Sequence, residues 1–186
     1  GFFMEICKKK GLFYPDILFP HIYEITPAFL QEQKVKGLIL DLDNTIAPYE
    51  VAEPDRKMAG WFHAMKTAGI KMAFVSNNKG DRVKIFNRTL GLPLFAGAKK
   101  PFTKGVRQAL AALEITPEEA AGLGDQIFTD CLACHRAGLR FYLVPPIKDK
   151  TNLFFRFKRL LERPFIRKYA KENGYREWMR FWKVKQ

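Results

Sequence analysis

One stretch limits the possible folds more than any other. In Gly37-Leu38-Ile39-Leu40-Asp41-Leu42-Asp43-Asn44-Thr45, four small or apolar residues run without alternation into two carboxylates spaced by one residue. A run of this kind suits a strand covered on both faces, so it predicts a central strand of a parallel sheet with helices on either side. Both acids then stand at the strand's carboxyl end. In open α/β sheets that end faces the ligand crevice, at the point where strand order reverses, so Asp41 and Asp43 arrive where chemistry is commonly placed. Side chains two residues apart share a face of a strand, which lets both carboxylates address one pocket.

The rest of the chain alternates in the same sense. Thr26-Pro27 reads as the cap and first residue of a short helix to about residue 33. Residues 55–67 carry Met58, Trp61, Phe62 and Met65 at helical spacing and stop at Gly69. Residues 70–75 are a second buried strand ending in Ser76-Asn77-Asn78, followed by a helix over 81–90. A short strand at 93–95 leads to Lys99-Lys100-Pro101, and a helix covers 103–113. Thr116-Pro117-Glu118-Glu119 looks like a further helix start. A strand at 121–124 then ends in Asp125, a helix spans 129–137, and a last strand covers 140–144. Five strands with short helical connections imply right-handed crossovers and a doubly wound, parallel, Rossmann-like α/β sheet. A length of 186 residues fits a single domain. Its expected parts are a covering segment (1–33) rich in aromatics and proline, including Phe2, Phe3, Phe13 and Tyr14, a core (34–147), and a basic extension (148–186).

Charge singles out that extension. From 147 onward there are thirteen Lys or Arg against four acids, which is most of the chain's net charge of +13. Aromatics are interleaved, among them Phe154, Phe155, Phe157, Phe165, Trp178 and Trp182. Such a segment implies an anionic partner: nucleic acid, anionic lipid or a phosphorylated substrate. Cys7, Cys131 and Cys134 are odd in number and form no disulfide framework, which favours a reducing compartment. No apolar run reaches the ~18 residues of a membrane-spanning helix, and residues 1–7 lack a signal-peptide pattern, so a soluble or peripheral protein is expected. Cys131-Leu132-Ala133-Cys134-His135 matches the haem-attachment pattern, but it falls inside a predicted helix and offers zinc no fourth ligand. His21 and His63 are read as structural or exposed.

Three polar clusters follow later strands: Ser76-Asn77, Lys100, and Asp125 with Asp130. Taken singly these are a turn, a solvated loop and a helix cap. Taken together at one sheet edge they supply carboxylate oxygens for a hard divalent ion, and an ammonium and hydroxyl for phosphate. In order and spacing, Asp41-Leu42-Asp43-Asn44-Thr45, Ser76-Asn77-Asn78, Lys100-Pro101 and Gly124-Asp125-Gln126-Ile127-Phe128-Thr129-Asp130 resemble the four motifs of the haloacid dehalogenase superfamily phosphatases. The form of the first and last motifs is similar to subclass IIIA and its YqeG-like branch, related to phosphatidylglycerophosphate phosphatases.

That resemblance implies an Mg²⁺-dependent phosphomonoesterase. Asp41 would be the nucleophile that becomes an aspartyl-phosphate, and Asp43 the general acid and then base. Thr45 would fix the loop and the orientation of Asp43. Ser76, with Asn77 or a nearby amide, would bind phosphoryl oxygens. Lys100, preferred to Lys99 because it directly precedes proline, would balance the charge on Asp41. Asp125 would ligate the metal with Asp41 and the backbone carbonyl of Asp43, while Asp130 would hold Lys100 or a metal-bound water.

Neither gap between motifs is long enough for a cap domain, so a large substrate or a surface must complete the pocket. Phosphatidylglycerophosphate at an anionic membrane fits both the open pocket and the basic, aromatic tail, and places the protein on the inner face of a membrane in the cytoplasm. The alternatives are a soluble phosphomonoester, a polynucleotide end, or a nucleic-acid-binding protein with a vestigial site, the last resting on a sequence pI of about 9.8.

Overall fold

The computed structural model describes residues 11–148 and 153–174. Phe2, Phe3, Cys7, Trp178, Trp182 and the side chains of Phe154 and Phe155 lie outside the described residues. In chain order the strands are β1 (Ile17–Leu18), β2 (Gly37–Leu40), β3 (Lys71–Val75), β4 (Leu94–Phe95), β5 (Ala120–Gly124) and β6 (Arg140–Leu143). The helices are α1 (Pro27–Glu32), α2 (Arg56–Thr67), α3 (Asp81–Asn87), α4 (Lys104–Leu113), α5 (Leu132–Arg136) and α6 (Leu153–Glu172). All strand pairs are parallel, in the order β1-β6-β5-β2-β3-β4. The expected doubly wound sheet is therefore present.

Alternate side chains of β2 seed two cores. Leu38 and Leu40 pack with Met58, Trp61, Phe62 and Met65 of α2 and with Val83 and Phe86 of α3. Ile39 faces the other way, toward Val106, Ala109, Leu110 and Leu113 of α4, Cys134 of α5 and Ile166 and Tyr169 of α6. A strand wrapped by helices on both faces must be apolar throughout, which is why β2 shows no alternation. Gly122 of β5 lets α5 approach the sheet, since a Cβ there would lie 2.2 Å from Cys134 Sγ.

The chain runs outward from β2 to β3 and β4, then crosses back to β5 and β6, while β1 from the N-terminal segment lies beyond β6 at the edge. The order thus reverses between β2 and β5, and the crevice opens at their carboxyl ends.

The structure corrects two of the sequence expectations and adds to two others. The N-terminal segment does more than cover the core: Ile17 and Leu18 pair with Tyr142 and Leu143 as an edge strand. Two buried residues carry too little pattern to read as a strand. Thr116–Glu119 begins no α-helix; a single 3₁₀ turn, Pro117–Glu119, with Glu119 accepting from the Thr116 amide at 3.1 Å, runs straight into β5. The predicted helix over 129–137 is a wide π turn, Ile127–Cys131, followed by the shorter α5. Finally, α6 is part of the packed fold, burying Ile166, Tyr169 and Ala170.

Cys131 and Cys134 are buried free thiols, and burial pushes Cys134 up to about 12. His135 bonds Asp16 at 2.8 Å, so this cluster is structural.

Candidate active site

Asp41 is the first residue past β2, its amide bonded to the Leu123 carbonyl of β5 at 2.9 Å. The loop after it folds back tightly. The amides of Thr45, Ile46 and Ala47 all donate to the Leu42 carbonyl, and Asn44 takes the left-handed conformation (φ 64°) that asparagine tolerates better than most residues. This fold-back brings the Thr45 hydroxyl to 3.1 Å from Asp41 Oδ2 and 3.2 Å from Asp125 Oδ1. Thr45 therefore orients those two carboxylates. The expectation that it would orient Asp43 fails because the turn points it back across the crevice.

Lys100 reaches the same place from beyond β4. Its Nζ donates to Asp41 Oδ1 at 2.9 Å, to Asp130 Oδ1 at 2.7 Å and to the Val75 carbonyl at 2.8 Å, which uses all three protons. Lys99, one residue earlier, is exposed. Asn77 explains how Lys100 is aimed: its side-chain amide bonds both the Lys100 amide (2.6 Å) and carbonyl (3.1 Å). Asn77 thus positions the Lys100 backbone, which leaves one Nδ2 proton beyond those bonds. Ser76 is buried, and its Oγ accepts from the Asn78 amide at 3.1 Å, which leaves its proton to donate.

Asp125 is fully buried past β5, and Asp130 in the π turn accepts from the Gln126 amide at 3.2 Å. Asp41, Asp125 and Asp130 each offer an oxygen within 4.8 Å of the others. Asp43 is not one of this triplet. Arg82 of α3 grips its Oδ1 at 2.7 Å and Asn78 its Oδ2 at 3.2 Å. Arg82 also bonds the Pro48 and Val51 carbonyls and so ties the loop down.

Three carboxylates, the buried Asp125 and Asp130 and the partly buried Asp41, meet here with one lysine between two of them. Burial, with the charge of Asp130 and then Asp125, pushes Asp41 up to about 7, although the Lys100 ammonium pulls it down. Burial likewise raises Asp125 against the pull of Arg159. Burial alone would lower the pKa of Lys100, but Asp130 and Asp41 outweigh it and raise it well above its usual value. Excess oxygen donors and unbalanced negative charge are what a hard divalent cation requires, so the residues fit a metal.

Sequence reasoning missed two residues. Arg159 of α6 donates to Asp125 Oδ2 and to its backbone carbonyl, at 2.7 and 2.6 Å. Nothing in a tail with thirteen cations distinguishes it. Arg82 lies on an ordinary helix face and carries no motif.

Gly124 shows how closely the site is built. A Cβ there would stand 2.6 to 2.7 Å from the Asp130 carboxylate, which Lys100 and Gln126 hold in place. Gly124→Ala is expected to displace Asp130, cost about 1–3 kcal/mol in urea unfolding and lower phosphatase activity more than about tenfold. Wild-type values for both would refute this packing.

Comparison with known proteins agrees with the geometry. The family model described as mitochondrial PGP phosphatase matches residues 2–148. The probable phosphatase YqeG of Bacillus subtilis is 37% identical over 169 residues, covering 91% of this chain and 98% of that protein. Among solved structures, the cobalt-bound deoxy-D-mannose-octulosonate 8-phosphate phosphatase of Haemophilus influenzae superposes with a TM-score of 0.50 at 12% identity, covering 75% of this chain and 91% of that one. That likeness concerns the fold.

Proposed function

This chain belongs to the mitochondrial PGP phosphatase family, a YqeG-like branch of the haloacid dehalogenase phosphatases, and from that premise we propose that it converts phosphatidylglycerophosphate to phosphatidylglycerol using Mg²⁺. The observation that carries the chemistry is the placing of Asp41 at the reversal of strand order, held by Lys100 and within 4.8 Å of Asp125. The lipid assignment is supported by the family's name and by the absence of a cap: between Asp43 and Ser76 the chain forms only α2 and β3.

Asp41 attacks phosphorus, forming an Oδ–P bond as the ester P–O bond breaks. Asp43, set by Arg82 and Asn78, gives its proton to the departing glycerol oxygen. It then takes a proton from the water that cleaves the aspartyl-phosphate and releases inorganic phosphate. The Ser76 hydroxyl holds a phosphoryl oxygen, while Lys100, its three protons taken by the protein, keeps Asp41 oriented and balances its charge. Asp41, Asp125 and the Asp43 carbonyl would hold Mg²⁺, with Asp130 supporting through Lys100 or a water. When bound, the ion screens the repulsion between carboxylate and phosphate.

Phosphate release from phosphatidylglycerophosphate in mixed micelles, beside small phosphomonoesters at equal Mg²⁺, tests this reading. A kcat/KM more than about tenfold higher for the lipid is expected, because remote binding energy is available only from the larger substrate. Equal values would overturn the lipid assignment.

A further inference from the structure

Over its first turns helix α6 is amphipathic in the reverse sense, before Ile166, Tyr169 and Ala170 turn inward to the core. Its inner face carries Arg159 on Asp125, Lys158 on Gln126 Oε1 (2.5 Å) and Glu162 on the Phe128 amide (3.1 Å), all in the loop that forms one wall of the site. Its outer face presents Leu153, Phe157, Leu160 and Leu161, spaced i, i+4, i+7, i+8 and 47–78% exposed. An ordinary surface helix turns its apolar stripe inward. Exposed cations Arg156, Arg167, Lys168 and Lys171 accompany the stripe, and Leu153–Glu172 holds seven Lys or Arg against two Glu. Phe102, 64% exposed, emerges two residues after Lys100 on the same edge of the sheet.

We propose that the outer face of α6, with Phe102, docks the enzyme on an anionic bilayer with the pocket turned toward it. Aliphatic and aromatic side chains enter the acyl boundary while the flanking cations meet anionic headgroups. Nucleic acid would use the cations and leave four large apolar side chains in water. A bilayer satisfies both. The inner face of α6 holds the metal carboxylate, so docking presents the crevice to a headgroup phosphate without any cap domain. The direction of docking rests on the lipid-phosphate reading above; the surface itself rests on exposure and charge.

The test is flotation of the full chain with phosphatidylcholine vesicles, with and without phosphatidylglycerol. The doubly substituted Phe157→Ser, Leu160→Ser protein is compared with wild type, and hydrolysis of a small phosphomonoester checks its fold. Wild type is expected to float with the anionic vesicles, and the double variant to partition about a hundredfold more weakly, at about tenfold per side chain, with unchanged small-ester turnover. Equal flotation of variant and wild type, or no flotation of wild type, overturns the proposal. So does a wild-type dimer in sedimentation without lipid that the two substitutions dissociate, since the face would then bind a second copy. Stripe-dependent flotation without phosphatidylglycerophosphate turnover upholds the docking surface and defeats the substrate reading. Turnover in micelles without flotation does the opposite.

Discussion

Asp41→Asn is expected to reduce phosphate release by about four orders of magnitude or more, while making the metal-free protein more stable at neutral pH. The two effects share one cause. Asp41 is placed to attack, and an amide of the same shape cannot. Its carboxyl also ionises at a cost, because burial and then Asp130 and Asp125 push it up to about 7, against the Lys100 ammonium. Between pH 4 and 7 the folded protein thus binds a proton that the unfolded chain has released, so stability falls as pH rises through that window. The shift corresponds to about 4 kcal/mol, and Asn removes the contribution that Asp41 makes to the pH dependence. Urea unfolding in chelator at both ends of the window measures it. Activity above roughly one per cent would remove Asp41 as nucleophile, and a variant with the wild-type slope would remove the electrostatic account.

The second large effect is that of Lys100→Met. Methionine nearly matches the volume but leaves Asp41 and Asp130 facing each other without the ammonium, and leaves the Val75 carbonyl without its donor. Breaking a buried ion pair from one side costs about 3–5 kcal/mol, so the metal-free variant is expected to unfold at much lower urea, and phosphatase activity is expected to be lost. Adding Asp130→Asn removes one of the stranded charges and is expected to recover part of the stability and none of the activity. A single variant within about 1 kcal/mol of wild type would show that Lys100 is not what holds the acids together.

Much of this was legible in the residues. The unalternating run before Asp41 announced a strand buried on both faces, and the cores on either side of β2 are the reason it is apolar throughout. Because parallel strands all end on one edge, motifs that follow successive strands must converge, and Asp41, Lys100, Asp125 and Asp130 do. What Asn77 does for the fold was not legible, because its partner is the backbone of Lys100, 23 residues away. The edge strand at Ile17 escaped notice because two residues show no period.

The sequence by itself determined the layer architecture, the edge on which the chemistry gathers and the residues that gather there. These follow from local periodicity and from the parallel direction of the strands, both written in consecutive residues. Only the tertiary structure decided which groups hold the acids: Arg82 on Asp43, Arg159 on Asp125, Thr45 between Asp41 and Asp125. It also decided that the first turns of α6 put Lys158, Arg159 and Glu162 inward. Such pairings depend on distances across the fold, and a cation that closes a buried carboxylate has the same local sequence as one that only meets water.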